Sequence, residues 1–446
     1  MSLVIENCYV ATVDAFGTEH ASGHVVVSDG VIEAVGPGPF TGLTARRIDG
    51  TGCLLTPGFV NTHHHLYQWA TRGYAQDATL FEWLTELYPV WARFDESIVE
   101  AAAAAGLGWL ALSGCTTSSD HHYLFPRDGG DPLGATIAAA GRIGLRFHPT
   151  RGSMDLGQSQ GGLPPDSVVE SLDAILAASQ TAVERYHDPS PAAMVRVGLA
   201  PCSPFSVTGD LLRESAALAR SLGVRLHTHL AETLDEEDFC RTTYGCTPVE
   251  YLERLDWIGP DVWLAHGVHL SQAEIERIGG TGTGVAHCPS SNGRLGAGTA
   301  QARALLDAGG PVGLGVDGAA SQEAGRLGDE LRQALYASRS RYGPRSLSCR
   351  QALQMATIGG AACLGRADEI GSLEPGKLAD LALWRVDGLG HAGIEDPVAA
   401  LVLGTQPPLE LLTVGGSIVV DRGELLTSST DTLTADLRAA SAKVRS

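Results

Sequence analysis

Lysine is almost missing from this 446-residue chain, which contains only Lys377 and Lys443. The other basic residues are arginines, and 31 basic residues against 51 acidic ones give a formal net charge of −20. Affinity for phosphate backbones and anionic lipids comes largely from basic side chains. The charge balance therefore argues against nucleic acid or a membrane as a partner and favours a small neutral or cationic substrate.

Long apolar runs and paired cysteines are also missing. No stretch approaches the roughly 18 apolar residues of a membrane span, and residues 1–17 lack the basic and apolar regions of a signal peptide. The nine cysteines are scattered, odd in number and without a C-x-x-C pair, as expected for reduced thiols. These features predict a cytoplasmic protein, and the 44% hydrophobic content indicates a sizeable core.

Residues 54–321 repeat one pattern, in which a short apolar run ends in polar residues and is followed by a segment with helical spacing. The eight runs are "LLTPGFVNTHHH", "CTTSSDHHY", "GLRFHPTRGSM", "MVRVGLAPCSP", "VRLHTHLAET", "VWLAHGVHL", "TGVAHCPSSN" and "VGLGVDGAAS". Eight alternating β and α units are typical of an α/β fold of the TIM type, the (β/α)₈ barrel, whose active site lies at the carboxyl ends of the strands. We assign this barrel to residues 56–365.

The two flanks alternate short strands with turns, as in "GHVVVSDGVIEAVGPG" and "LTVGGSIVVDRGEL". Neither flank is long enough for a separate core of its own. We therefore predict that residues 1–55 and 366–430 are the two halves of one small β-sandwich beside the barrel. Residues 431–446 have the pattern of an amphipathic C-terminal helix.

Three consecutive histidines end the first run, in "PGFVNTHHHLYQ". Side chains alternate along a strand with a period of two. His63 and His65 therefore lie on the same side of the strand, and His64 points away from them. The same spacing recurs in His227-Thr228-His229, where periodicity does not decide which histidine reaches the site.

Further histidines and a carboxylate end the last three runs, at His266, His287 and Asp317. Imidazole nitrogens with a carboxylate oxygen suit Zn²⁺ or another divalent transition metal and leave a position open for water. A single buried histidine is usually structural, but a series of them at successive strand ends of one barrel indicates a metal site.

The segments "PGFVNTHHHL", "HTHLAET", "LAHGVHL", "AHCPSSN", "GVDGAAS" and "GSLEPGKLADLALW" together resemble the amidohydrolase superfamily, in its branch of cytosine, guanine and triazine deaminases and hydrolases. The resemblance covers essentially the whole chain. It implies that the metal ligands are His63, His65, His229 and Asp317. It also implies that Glu232 shuttles protons and that His266 orients the attacking water or helps to ionise it, with Asp317 accepting the proton.

The scarcity of lysine now bears on the number of metal ions. Binuclear members of the superfamily bridge their two ions with a carboxylated lysine near the end of strand four, whereas this chain has Ala200-Pro201-Cys202 there and no lysine before Lys377. We therefore expect one divalent ion per subunit. Zinc is the first choice, with Fe²⁺ and Mn²⁺ as alternatives for the same donors.

Within this branch the chain most resembles the 8-oxoguanine deaminase group, which implies hydrolytic release of ammonia from a purine-like ring, with 8-oxoguanine converted to urate. An s-triazine aminohydrolase or chlorohydrolase and a guanine, isoguanine or pterin deaminase remain alternatives, because Gly293 and Gln322-Glu323 depart from the group's pattern. The expected substrate contacts are Gln68, Tyr123, Arg151, Cys202, His269, His287 and Asn292.

A barrel that has lost catalysis and serves only in binding or assembly is the rival from another class. Such proteins typically lose metal ligands, whereas every ligand that the resemblance implies is present here. The superfamily resemblance also implies a homo-oligomer, although nothing in the sequence itself gives the number of subunits.

Overall fold

The computed structural model describes residues 3–42 and 46–445. In chain order the strands are β1 (Leu3–Ala11), β2 (Glu19–Ser28), β3 (Val31–Pro37), β4 (Arg46–Asp49), β5 (Cys53–Pro57), β6 (Phe59–Asn61), β7 (His64–His65), β8 (Cys115–His122), β9 (Arg146–Ser153), β10 (Gly198–Pro201), β11 (Leu226–Leu230), β12 (Val262–His266), β13 (Gly284–His287), β14 (Val312–Leu314), β15 (Asp317–Gly318), β16 (Leu381–Arg385), β17 (Leu409–Val414), β18 (Ser417–Asp421) and β19 (Glu424–Leu425).

The helices complete the framework. They are α1 (Leu80–Trp91), α2 (Glu96–Leu112), α3 (Pro132–Ile143), α4 (Leu172–Tyr186), α5 (Gly209–Leu222), α6 (Leu234–Tyr244), α7 (Pro248–Arg254), α8 (Gln272–Gly280), α9 (Pro289–Arg294), α10 (Ala302–Asp307), α11 (Leu327–Tyr342), α12 (Cys349–Gln354), α13 (Gly360–Cys363), α14 (Pro397–Leu403) and α15 (Thr430–Arg445). Two 3₁₀ helices (Leu66–Thr71 and Gln158–Gln160) and one π-helical turn (Met355–Gly359) lie between them.

A closed barrel of parallel strands forms the centre of the molecule, in the order β10-β11-β12-β13-β14-β6-β8-β9. Each of the eight apolar runs of the sequence contributes one of these strands, which confirms the predicted barrel. The helices between them follow local signals. In α5, for example, the Thr208 side chain caps the first turn and Gly223, at φ +68°, ends the helix.

Strands from both ends of the chain form a second sheet, as predicted. Its order is β19-β18-β17-β16-β5-β1-β2-β3, with β4 paired to β1, so β5 and β16 join the two ends directly. The nine strands form one hydrogen-bonded sheet with an apolar cluster of its own, to which distant strands contribute Ile5, Val25, Leu55 and Leu411. The two predicted halves are therefore parts of one continuous sheet.

The C-terminal helix α15 packs one face on α2. Leu433, Ala440 and Val444 are buried, and the main-chain carbonyl of Val444 accepts a hydrogen bond from Arg93 at 2.7 Å. Within residues 3–42 and 46–445, no helix is both long and apolar enough to span a lipid bilayer.

Candidate metal centre and catalytic site

The two short strands β7 and β15 pair at the carboxyl end of the barrel and bring the first and last predicted ligands together. In this arrangement Asp317 Oδ1 lies 3.2 Å from His63 Nε2 and 3.3 Å from His65 Nε2. Asp317 has a left-handed backbone, with φ at +59°, and His266 does too, at +75°. Such conformations cost about 1–3 kcal/mol each and often occur at functional sites.

Hydrogen bonds to main-chain carbonyls determine the tautomers of the ligand histidines. His227 Nδ1 lies 2.7 Å from the Trp263 carbonyl, so this nitrogen donates, and His227 Nε2 accepts from His63 Nδ1 at 2.8 Å. His65 Nδ1 donates to the His121 carbonyl at 2.7 Å in the same way. The Nε2 lone pairs of His63 and His65 therefore remain free for a metal.

His229 completes this group from the end of β11. Its Nδ1 donates to the Cys202 carbonyl at 2.6 Å, and its Nε2 lies 3.1 Å from His65 Nε2. Burial lowers the pKa of His63 to about 3 and that of His229 well below its ordinary value. Neutral imidazoles that point lone pairs at one another and at a carboxylate oxygen repel unless a cation lies between them. The donor set therefore fits a divalent metal ion.

Two serine hydroxyls hold the other oxygen of Asp317. Ser291 Oγ donates to Asp317 Oδ2 at 2.5 Å and Ser321 Oγ donates at 3.3 Å. Although burial favours the neutral acid, contacts with His63 and His65 keep the pKa of Asp317 well below its ordinary value. Asp317 is therefore an ionised carboxylate with Oδ1 directed at the histidines.

Glu232 follows β11 and faces His266, whose Nε2 lies 3.5 Å from Glu232 Oε2. Burial, and then the charge of Asp317, raise the pKa of Glu232 well above its ordinary value. The Glu236 carboxylate accepts hydrogen bonds from the main-chain N–H groups of Ala231 and Glu232, at 2.8 and 2.9 Å. Glu236 thus positions the segment that carries Glu232.

His64, the middle one of the three consecutive histidines, has contacts that differ from those of His63 and His65. His64 Nδ1 contacts the Asp317 carbonyl, and His64 Nε2 accepts a hydrogen bond from Trp69 at 3.2 Å. His64 is therefore packed away from the donors of His63 and His65, as the strand period predicts.

His121 belongs to the cluster, although sequence reasoning did not select it. A nitrogen of His121 lies within 4.8 Å of ligand atoms of His63, His65 and His229, and a second such group consists of His63, His266 and Asp317. The His121 ring stacks on His229 with centroids 4.7 Å apart. In "SSDHHY" the strand period indicates that only one of the two histidines points inward, but not which one.

A small cavity opens on the cluster. Its lining includes the predicted contacts Gln68, Tyr123 and Cys202 beside Glu232, His266 and Asp317. His65, His229, Ser203 and Ser321 also line it, and its apolar and aromatic walls are Leu80, Trp83, Leu84, Tyr88, Phe205 and Leu295. A flat heterocyclic ring is the class of molecule that such walls accommodate.

Four predicted contacts are not brought to this cavity. The Arg151 guanidinium is paired with Glu170 through two hydrogen bonds of 2.8 Å and lies 3.6 Å above the Phe125 ring. His269 bonds to the Ala297 carbonyl at 2.8 Å.

The other two, Asn292 and His287, are buried and do not line the cavity. Asn292 Oδ1 contacts His266 Nδ1 at 2.9 Å and so orients His266 from outside the cavity. His287 is buried on β13, and burial lowers its pKa to about 4, so its ring is neutral at pH 7.

The amidohydrolase family model matches residues 54–419, which include the whole barrel and, of the second sheet, β16, β17, most of β5 and part of β18. The chain belongs to the amidohydrolase family. This membership confirms the predicted enzyme class, a hydrolase acting on carbon–nitrogen bonds. Amidohydrolases depend on metal, in agreement with the donor set described above.

Individual relatives and solved structures also match most of this chain. This amidohydrolase is 48% identical to an 8-oxoguanine deaminase of Pseudomonas aeruginosa, with 89% of each chain covered. It is 40% identical to an isoxanthopterin deaminase of an unknown prokaryotic organism, over 89% of this chain and 86% of the relative. The atrazine chlorohydrolase of Arthrobacter aurescens TC1, solved with zinc, superimposes with a TM-score of 0.94 at 35% identity, covering 98% of this chain and all of that one.

Proposed function

We propose that this amidohydrolase converts 8-oxoguanine and water to urate and ammonia. The observation that carries the proposal is Glu232, a buried carboxyl with a raised pKa, facing a metal-binding donor set across a cavity with aromatic and apolar walls. The 48% identity to an 8-oxoguanine deaminase favours this ring among purine-like substrates.

The proposed site binds one divalent ion through His63, His65, His229 and Asp317. A divalent ion bound there supplies Lewis-acid chemistry and lowers the pKa of water from about 15.7 to about 7. Zinc is our first choice because a similar hydrolase was solved with zinc, while iron and manganese suit the same donors. A single ion is proposed because the chain has no lysine before Lys377 to bridge two.

The protein groups move the protons. The ionised Asp317 accepts a proton from the attacking water, with His266 held beside it by Asn292. The protonated Glu232 donates its proton to the ring nitrogen next to the carbon under attack. The ionised Glu232 then takes the second proton of the water and delivers it to the amino group. The C–N bond breaks, ammonia departs, and the proton held by Asp317 returns to Glu232 for the next turnover.

Three cavity residues bind the ring in this proposal. Gln68 lies against the Asp317–Gly318 segment, with its Oε1 3.4 Å from the Ala320 amide, and is placed to read a polar edge of the ring. Tyr123 and Cys202 also line the cavity.

Hydrolysis of an s-triazine is the second candidate, because the chain superimposes on a triazine hydrolase over 99% of both lengths with a TM-score of 0.95. Metal quantification together with ammonia release from 8-oxoguanine, guanine, isoguanine, isoxanthopterin, cytosine and a hydroxytriazine tests both candidates. About one metal per chain with preferred turnover of 8-oxoguanine supports the proposal. Preference for another ring overturns the substrate, and no turnover of any ring by fully metallated protein overturns the reaction.

Our proposal also assigns residues 56–365 to the catalytic barrel, residues 1–55 and 366–430 to the second domain, and 431–446 to a terminal helix. We place the enzyme in the cytoplasm as a homo-oligomer. The nine cysteines, all of them free and eight of them buried, fit a reducing compartment.

A further inference from the structure

Three arginines and a histidine converge at the amino-terminal end of the barrel, opposite the metal centre. His148 lies on β9, and Arg196 is on the neighbouring segment, where its main-chain N–H donates to the Phe147 carbonyl at 3.1 Å. Arg225 directly precedes β11, and Arg366 follows α13. We call these four residues the basal cluster.

Donor groups of the basal cluster are buried without acceptors. Arg196 Nε, Arg225 Nε, Arg366 Nη1 and both ring nitrogens of His148 have no hydrogen-bond partner among the described residues. His148 is 2% exposed and Arg366 is 1% exposed. Leaving a buried donor unpaired costs about 1–3 kcal/mol, and native structures rarely concentrate several at one place.

The basal cluster also carries excess positive charge. Arg196 and Arg366 share one carboxylate, that of Glu369, at 2.5 and 2.8 Å. Arg225 forms no ion pair within residues 3–42 and 46–445. Two of the three guanidinium groups thus share one carboxylate and the third has none within the described ranges, in a chain whose net charge is −20.

Other carboxylates near the basal cluster are either exposed, as is Asp188 beside Arg196, or paired with other arginines. Asp261 acts electrostatically on Arg225 but pairs with Arg220 at 2.9 Å. Asp380 is taken by Arg146 at 2.7 Å. Among the described residues, Glu369 is therefore the one carboxylate that forms ion pairs with the basal cluster.

The ring of His148 adds a neutral donor. Burial, followed by the charges of Arg225, Arg366 and Arg196, lowers the pKa of His148 well below its ordinary value. Trp263 supports the arrangement, since its ring lies 5.4 Å from the His148 ring and 6.0 Å from the Arg225 guanidinium carbon. An anion satisfies both the unpaired N–H groups and the surplus charge, whereas water satisfies only the first.

We propose that the basal cluster is a binding site for a small inorganic anion, either chloride or an oxyanion such as phosphate. Arg196 Nε, Arg225 Nε, Arg366 Nη1 and one N–H of His148 donate to it. The bound anion joins β9 and the starts of β10 and β11 to the segment after α13. Its role is to stabilise the base of the barrel, and it is independent of the proposed reaction.

Thermal unfolding at constant ionic strength tests the proposal. Sodium gluconate is replaced stepwise by sodium chloride in one series and by sodium phosphate in another. We expect a saturable rise in Tm of about 3 °C or more with at least one of these anions. The series that saturates at the lower concentration identifies the anion class.

Two variants localise the effect. Arg225→Gln removes the unpaired guanidinium and should abolish the anion-dependent rise, while Arg213→Gln, at an exposed arginine of α5, should retain it. An equal rise in Arg225→Gln and wild type, or no rise in wild type, overturns the proposal.

Crystals of the wild-type enzyme grown in sodium bromide provide a measurement that does not depend on a variant. We expect an anomalous peak within hydrogen-bond distance of Arg225 Nε and Arg366 Nη1. Density for water alone in the basal cluster contradicts the inference. Bromide bound there contradicts it too if no anion raises Tm specifically.

Discussion

His266 Nδ1 and Asn292 Oδ1 lie 2.9 Å apart, and both residues are buried. The amide oxygen accepts the Nδ1 proton, so the Nε2 lone pair of His266 is directed towards Glu232 and Asp317. Asn292 therefore acts through His266, as a positioning residue.

Asn292→Ala should lower kcat by about 10- to 100-fold and leave KM within about twofold, because it removes orientation of His266 without touching the ring. Asn292→Asp keeps an acceptor in place and should restore most of kcat. Steady-state kinetics separates this role from the substrate contact that the sequence predicted, for which KM would rise instead.

Separate substitutions of the adjacent residues His63 and His64 should distinguish metal binding from packing. His63→Asn removes a nitrogen directed at Asp317 and should leave less than about a tenth of the wild-type metal content. His64→Asn alters the contacts with Trp69 and the Asp317 carbonyl, so it should lower Tm and retain metal. Elemental analysis of both purified variants is the measurement, and equal metal loss in the two would contradict the assignment.

Glu232→Gln should reduce kcat by about 10³-fold or more with metal content unchanged, since the amide cannot exchange protons with the substrate. Glu237→Gln, five residues on, is the matched control because Glu237 pairs with Arg241 on the surface of α6. Ammonia release at saturating substrate measures both. If kcat of Glu232→Gln were within tenfold of the wild-type value, Glu232 would not be the group that transfers the protons.

Glu330 should make folding stability depend on pH. Burial raises its pKa to about 7, while Ser290 and Gln322 donate to its carboxylate. The folded state favours the protonated acid, so the contribution of Glu330 to stability is full below about pH 4.5 and is lost as pH rises to about 7. The stability of wild type relative to Glu330→Gln should fall by about 3 kcal/mol over this interval. Chemical unfolding at pH 4.5, 6 and 7.5 measures the difference, and a flat difference would exclude a titrating Glu330.

Arg151→Met should lower stability by about 3 kcal/mol, because it leaves the Glu170 carboxylate without its partner. KM should remain unchanged, since Arg151 lies outside the cavity lining. The double variant Arg151→Met with Glu170→Gln should recover part of the stability. A large rise in KM for Arg151→Met would instead restore Arg151 as a substrate contact.

The barrel could be predicted because it depends on local patterns, whereas the metal-ligand set, including His229 rather than His227, rests on the family resemblance and stays a prediction. A strand period of two places His63 and His65 on one side, and parallel strands in a barrel bring their carboxyl ends together whatever the details of packing. The strand order of the second sheet could not be predicted from the sequence, because it brings residues far apart in the chain, such as Ile5 and Leu411, into one apolar cluster.

The sequence also could not show which polar residues at the strand ends face the cavity and which contact other protein groups. Arg151 and Asn292 follow strand ends, as a substrate contact does, yet one is neutralised by Glu170 and the other bonds to His266. The environment of His121 depends on its stacking against His229, which only the register of β8 within the barrel determines.

The pairing of β5 with β16 has a consequence for synthesis on the ribosome. Strand β5, near residue 55, cannot pair with β16, near residue 383, until about 330 more residues have been synthesised. At roughly 5–20 residues per second this delay is about 15 to 65 seconds. During that time the strands of the N-terminal flank present an open edge to other nascent chains, so the rate of translation through the barrel should influence how much enzyme aggregates.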